Sequence, residues 1–362
     1  MNSDILIVGA GVIGLMTALE CSRAGATVTL LDKSLVGQEA SWAGGGILSP
    51  LYPWRKGNAI SALRNWSERQ YPLLAAELHE STGIDVELSQ CGMLIADIPD
   101  QQLAENTLAE RNMPFRWLDS GEVAHSHAGL CLSANPALLL PTIAQIRNPR
   151  LLAALKKLLE QQQVKIFENH QVTRFILNQS GTRVDYAETP HGEFSADSVV
   201  LTAGAWSPGL WPDINSGTAL PIFPVKGQML LLQAPIGSIP SIVLSDHQYI
   251  VPRKDGHVLV GSTLEKTEFN KVKTVPAKRQ LKHFFDRLYP LFSHLPVIKH
   301  WAGIRPGSHG NPIISRHTEI ENMYVNSGHF RNGLNLAPAS ARLVVDMIVN
   351  REPIVPVAAY RL

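Results

Sequence analysis

The opening residues of the chain carry two hydrophobic patterns in succession. Ile5 to Val8 is a continuous apolar run with the length and β-branched content of a strand buried on both faces. Past it, Leu15, Ala18, Leu19 and Ser22 recur at intervals of three and four, the period of a helix that ends near Gly25. A second run, Thr27 to Leu31, finishes on Asp32. Between strand and helix, Gly9, Gly11 and Gly14 form G-x-G-x-x-G. There the first glycine permits a tight turn, the second lets a pyrophosphate approach the backbone, and the third lets helix and strand pack closely. The free N–H groups of the helix start favour phosphate. Asp32, 18 residues past Gly14, is placed to accept hydrogen bonds from a ribose. The pattern predicts a dinucleotide site.

Further along, Ala59 to Glu80 reads as a long amphipathic helix, bent or broken at Pro72. From about Asp85 the texture changes to short strands, Val86–Leu88, Met93–Ala96 and Phe115–Leu118, in a region closed by Leu140 and Pro141. Asn148-Pro149 opens a helix whose leucines 151, 152, 155, 158 and 159 share one face. Val164–Phe167 and Val172–Leu177 read as strands, and Ser198–Gly204 as a buried strand that returns the chain to its first domain. Gln228–Leu232 is a further strand. Tyr249–Gly261 is a hairpin turned at Asp255-Gly256, and Ala277–Phe292 is helical. A strand at Met323–Asn326 precedes a helix from Pro338 to about Asn350, with Pro338 in its first turn. This is an α/β chain. A Rossmann-type domain is expected from residues 1–84, 143–220 and 306–362, and an α+β substrate domain from 85–142 and 221–305.

Composition narrows the class. The 362 residues suffice for two domains, and 45% hydrophobic with 17% charged residues is ordinary for a soluble globular protein. A net charge of +1 gives no reason to expect nucleic acid or a membrane surface as partner. Cys21, Cys91 and Cys131 lack metal or disulfide spacing, which suits a reducing cytoplasm and no bound metal. No signal peptide is expected, because a folded strand begins at residue 4, and no apolar run approaches a membrane span.

Some residues invite chemistry. Gly44-Gly45-Gly46, flanked by Trp42 and Ile47, costs backbone entropy that a plain loop need not spend, and so suggests close approach to a cofactor; a flexible surface loop is the bland alternative. Arg305 lies among apolar, glycine and proline residues, and Arg331 sits in GHFRNG. An arginine fork binds carboxylates through two parallel bonds and keeps its charge in a dry pocket, although a surface position or a structural ion pair is the commoner fate of an arginine. Tyr249 on the hairpin is by itself more often a core aromatic. Only one dinucleotide fingerprint is present, which argues against electron transfer between flavin and nicotinamide.

At these residues the chain resembles a known family. The fingerprint ending on Asp32, ASWAGGGILSP, IAQIRNPRLL, VVLTAGAWS, PVKGQM, YIVPRKDGHVLVGST, HWAGIRPGS and GHFRNGLNLAPAS are similar, in order, to the glycine oxidases of the thiamine pathway, within the D-amino-acid oxidase group of flavoproteins. The resemblance runs from about residue 4 to 360. It implies non-covalent FAD, a Rossmann-type FAD domain and a substrate domain with a large, mainly antiparallel sheet. Arg305 is implied to grip the substrate carboxylate, Tyr249 to support it through its hydroxyl, and Arg331 to line the same site. Cofactor contacts are implied at Gly9, Gly11, Val12, Ile13 and Gly14, then at Asp32, Lys33, Ala40 and Ser41. They continue through Gly45, Gly46, Ile47, Val172 and Gly204, and close with His329, Phe330, Arg331, Asn332, Gly333, Leu334 and Asn335. Two positions depart from the group. Leu264, expected at a wall of the substrate pocket, stands where methionine is usual, and Asn335 replaces an aliphatic residue.

The implied reaction oxidises an amine α to a carboxylate by hydride transfer to flavin. Substrates would be glycine, sarcosine and D-alanine, with glyoxylate, ammonia and hydrogen peroxide as products after imine hydrolysis and reaction with O2. The imine could instead pass to thiazole synthase. The helix near Pro338 is expected to aim its positive end at the flavin. A homotetramer is what the group suggests. The rivals are a D-amino-acid or secondary-amine dehydrogenase using a non-oxygen acceptor, and a flavin-binding module without turnover. Covalent flavin attachment through a late cysteine is not expected, because none follows Cys131.

Overall fold

The computed structural model describes residues 2–132, 136–211 and 219–362, built on two eight-stranded sheets. In the first sheet, Met323–Ser327, Gly192–Leu201, Asn2–Val8, Val28–Leu31 and Lys165–Phe167 lie side by side and run parallel. Ile313–Arg316 closes one edge in antiparallel sense. The hairpin of Arg174–Leu177 and Val184–Thr189 joins onto Gly192–Leu201. Register decides what gathers at one end. Val8 pairs with both Leu31 and Leu201, and Leu201 with Val325, so Gly9, Asp32, Thr202 and Ser327 all emerge at the same carboxyl edge. Open parallel sheets bind ligands at that edge.

The apolar faces predicted from the sequence do the covering. Leu15 and Leu19 of helix Val12–Arg23, Leu63 and Leu74 of Asn58–Thr82, and Leu151, Leu155 and Leu158 of Asn148–Gln161 bury against one face of this sheet. They share that core with Leu336, Leu343 and Val344 of Gly333–Ile348. The second sheet runs in the order Lys299–Ser308, Ile222–Gln233, His257–Gly261, Gln248–Pro252, Ile242–Ser245, Met93–Ile95, Ala137–Leu140 and Arg116–Leu118. Its pairings are antiparallel except for Ile242–Ser245 with Met93–Ile95. Helix Val275–Leu288 packs Leu281, Phe284 and Phe285 on one of its faces. Among the described residues no helix is long and apolar enough to cross a membrane.

Four elements differ from the sequence reading. Helix Asn58–Thr82 continues unbroken through Pro72, because Pro72 and the preceding turn at Glu68 face solvent, where water can satisfy the freed carbonyl. No strand forms at 86–88: Glu87 adopts φ 53° and its N–H donates to the Asp85 carboxylate at 2.8 Å. The helix expected over 277–292 ends at Leu288, and a separate short helical turn covers Pro290–Phe292. The last long helix begins at Gly333 rather than Pro338. Pro338 deprives the carbonyl of Leu334 of its helical donor, and the Tyr71 hydroxyl donates there instead. The N–H of Ala339 turns to Ser67 Oγ at 3.1 Å. Side chains of the long helix thus replace what the proline removes.

Candidate active site

A cleft of about 490 Å³ runs along the carboxyl edge of the parallel strands and reaches the second sheet. At its far end lies the predicted strand–helix–strand unit. A Cβ on Gly14 would fall 1.9 Å from the Gly9 carbonyl oxygen, so the helix can sit this close to the turn only with glycine there. The N–H of Val12, in the first turn of that helix, donates to Ser41 Oγ at 2.9 Å, which ties the following loop to the fingerprint. Asp32 Oδ2 accepts from Ala10 N at 2.7 Å and Oδ1 from Ser34 N at 2.9 Å. Its burial raises the carboxyl pKa, with the Ser34 and Ala10 N–H groups opposing. A carboxylate has about four lone-pair sites, so acceptor capacity remains for a ribose. Lys33 Nζ lies 3.3 Å from the centroid of the Trp206 ring, a cation–π contact at the cleft rim.

The triple-glycine loop lines the middle of the cleft, and two polar side chains hold it there. Asn148 Nδ2 donates to Ser41 O at 2.8 Å and Gly44 O at 3.0 Å. Arg253, brought by the hairpin, donates from Nη2 to Gly45 O at 3.0 Å and from Nη1 to Gln145 Oε1 at 2.6 Å. Burial, with Arg147 nearby, pulls its pKa down to about 10, so it stays charged at neutral pH. A Cβ on Gly45 would lie 2.8 Å from the Tyr249 ring. The glycine is therefore where the loop and the tyrosine meet.

At the near end the two sheets contribute one residue set. Tyr249 on Gln248–Pro252 directs its hydroxyl to Met229 Sδ at 3.3 Å, a weak acceptor that a carboxylate would readily replace. Arg305 on Lys299–Ser308 lies over Gly227, where a Cβ would come within 2.1 Å of its guanidinium. Its nitrogens donate to Ser262 Oγ at 2.8 Å and Thr263 O at 3.3 Å. Arg331 comes from the turn Phe330–Asn332 and donates to the same Ser262 Oγ at 3.2 Å. Among the described residues no carboxylate lies within 4.0 Å of either guanidinium. Burial lowers the Arg305 pKa, with Tyr249 opposing and Arg331 adding repulsion. His329, next in the same loop, is held by Ser340 Oγ at 2.9 Å, and burial lowers its pKa to about 3, so the ring is neutral.

Of the residues named from the sequence, three lie off this cleft; all the others line it. Gly14 faces the Gly9 turn, and Asn335 is buried inside helix Gly333–Ile348. Leu264 is half exposed and lines a neighbouring open depression with His247, Gln248 and Arg331. Thr263 and Glu265 on either side of it bond back to Gln228 and Lys226, which turns Leu264 outward. The apolar lining of the cleft includes Ile47, Leu51 and Ile304. Sequence reasoning missed Arg253, Asn148, Trp206 and Ser262. Each stands inside a quoted motif, but its partner lies far away in the chain.

The residues fit FAD on three observations. The buried carboxylate of Asp32 and the start of helix Val12–Arg23 stand together at one end, as a nucleotide requires. Gly45 and Gly46 offer bare backbone along the middle. Helix Gly333–Ile348 begins at the other end without a side-chain cap, which leaves a partial positive charge for an electron-rich ring edge.

Comparison with known proteins agrees with this geometry. Residues 4–347 match the family model described as FAD dependent oxidoreductase. A glycine oxidase from Pseudomonas aeruginosa is 41% identical over 362 residues, covering 99% of this chain and 98% of that protein. A bifunctional protein ThiO/ThiG from Synechocystis is 30% identical over 97% of this chain, which spans 52% of its length. The crystal structure of glycine oxidase from Geobacillus kaustophilus superposes with a TM-score of 0.93 at 28% identity, covering 100% of this chain and 98% of that one.

Proposed function

This chain belongs to the FAD dependent oxidoreductase family and is an FAD-dependent amino-acid oxidase, and from that premise we propose that glycine is its principal substrate, with sarcosine and D-alanine accepted. The observation that carries the proposal is the charge of Arg305, half-buried and without an acidic partner among the described residues. A partly desolvated cation with no carboxylate within 4.0 Å favours an anionic ligand. The fork of Arg305 takes the substrate carboxylate in two parallel bonds, and Tyr249 exchanges its weak sulfur acceptor for the same group. The acidic residues lining the cleft, Asp32 and Glu39, belong to its nucleotide end. No described carboxylate is thus positioned to take a proton from the substrate amine, so the amine must arrive neutral. Bound FAD supplies the two-electron acceptor that takes the α-hydrogen as hydride and is regenerated as O2 becomes hydrogen peroxide. Orientation by Arg305 and Tyr249, with exclusion of water by Leu51 and Ile47, supplies the protein's share of the catalysis.

The resulting imine hydrolyses to glyoxylate and ammonia or passes to a thiazole-forming partner. The two-part name of the Synechocystis relative is in keeping with the second route. The test compares hydrogen peroxide release from glycine in air with reduction of an artificial dye under nitrogen. Peroxide formed in step with glycine consumption supports the oxidase. Dye reduction with negligible peroxide would assign a non-oxygen acceptor, and neither response would leave a binding protein without turnover.

A further inference from the structure

We propose that Ser262 is a positioning residue that sets the two arginines for the substrate carboxylate; the inference rests on the reading of Arg305 as the carboxylate anchor. Ser262 is 4% exposed, and its single oxygen accepts from Arg305 Nη2 at 2.8 Å and from Arg331 Nη2 at 3.2 Å. A hydroxyl has two lone pairs, and here both serve guanidinium groups of like charge. Two cations meeting on one neutral acceptor repel each other, and among the described residues no carboxylate pairs with either within 4.0 Å; Glu265 offsets Arg305 only from farther off. The bridge fixes where each fork sits while the site is empty of substrate, so the carboxylate meets an arranged receptor rather than assembling one.

The rest of the segment shows why Ser262 can hold that position. The next residue, Thr263, accepts at Oγ1 from Gln228 N at 2.9 Å and donates to Glu265 at 2.6 Å. Glu265 in turn pairs with the buried Lys226 at 3.1 Å and accepts from Gln228 Nε2 at 2.8 Å. This network lies beside the arginines and ties the segment to the strand Ile222–Gln233 that runs next to Arg305. Ser262 is thus an acceptor on a rigid support, whereas among the described residues Arg331 has only one other bond, a 3.4 Å contact to His247 O. Without the hydroxyl, Arg331 is the group free to swing toward the neighbouring depression, which it also lines.

The test uses FAD-loaded Ser262→Ala, Ser262→Thr and Arg305→Ala. Glycine kinetics are measured, together with the Kd of acetate, a carboxylate with no amine to oxidise, read from the flavin spectrum. In Ser262→Ala the KM for glycine and the Kd for acetate should each rise about tenfold, or about 1.4 kcal/mol, while kcat falls less than threefold. Ser262→Thr, which keeps the hydroxyl, should restore both constants to within about threefold of the natural protein. A purely structural serine would lower the melting temperature in Ser262→Ala and leave KM and Kd in place. That result, with Arg305→Ala impaired, overturns this inference alone. If Arg305→Ala also binds acetate normally, the carboxylate-anchor reading falls and the inference with it.

Discussion

Tyr71 donates its hydroxyl proton to the carbonyl oxygen of Leu334, the oxygen that Pro338 leaves without a helical partner. The two residues lie 263 positions apart, and Tyr71 is buried, which pushes its phenol pKa up. Tyr71→Phe keeps the ring packing and orphans a carbonyl, at a cost of about 1–3 kcal/mol. Thermal melting should fall by a few degrees, and FAD should dissociate faster because Leu334 lines the cleft. An unchanged melting temperature would mean that the carbonyl finds another donor.

Asp32 bears on cofactor retention. Asp32→Ala removes the proposed ribose acceptor and also the partner of Ala10 and Ser34 N–H. FAD affinity should weaken by about 1.5–3 kcal/mol, the range for a hydrogen bond to a charged group. Fluorescence titration of the apoprotein with FAD measures this. A Kd within twofold of the natural protein would remove Asp32 from the nucleotide contact.

His329 makes stability depend on pH. Its folded pKa is depressed to about 3 by burial, below the ordinary value of 6.5. The unfolded chain therefore takes up a proton between those values that the folded chain refuses. The contribution is fully present above pH 6.5 and is lost as pH falls toward 3, at up to about 1.4 kcal/mol per pH unit. Urea unfolding between pH 6.5 and 5 should show a shallower slope for His329→Gln than for the natural protein. Parallel slopes would show that the imidazole is not buried as described.

Geometry, beyond charge alone, matters at position 305. Lysine keeps the attraction for a carboxylate but loses the two-pronged fork, and its shorter reach misses Ser262 and Thr263. Arg305→Lys should retain weak glycine binding with kcat/KM reduced about 10- to 100-fold. Full activity in that variant would show that a point charge suffices.

The nucleotide end of the cleft was legible in the chain because its signals are local: Gly9 to Asp32 form one continuous unit, and Asp255-Gly256 marks its own hairpin. The hydroxyls that accommodate Pro338 were not, because Tyr71, which donates to Leu334 O, and Ser67, which accepts from Ala339 N–H, are distant in sequence, and a proline read locally belongs in a first turn. Arg253 looked like one more hairpin residue, and only tertiary folding brings Gly45 and Gln145 to it. The placement of Leu264 in the neighbouring depression was not legible for a related reason. Its orientation follows from bonds that its neighbours make to Lys226 and Gln228. Motif order supplied the candidate residues, while tertiary folding decided which of them share the cleft.

The most direct test of the central claim is anaerobic mixing of FAD-loaded protein with glycine, followed by flavin absorbance, in the natural chain and in Arg305→Ala. Without oxygen, only transfer of electrons from the substrate can bleach the flavin, so the measurement isolates substrate oxidation from the choice of acceptor. The account predicts complete bleaching of the natural protein. In Arg305→Ala, bleaching should be slower by roughly 100- to 1,000-fold at low glycine, which corresponds to about 3–4 kcal/mol of lost transition-state stabilisation. Equal bleaching rates in the two proteins would contradict the assignment of Arg305 as the carboxylate anchor.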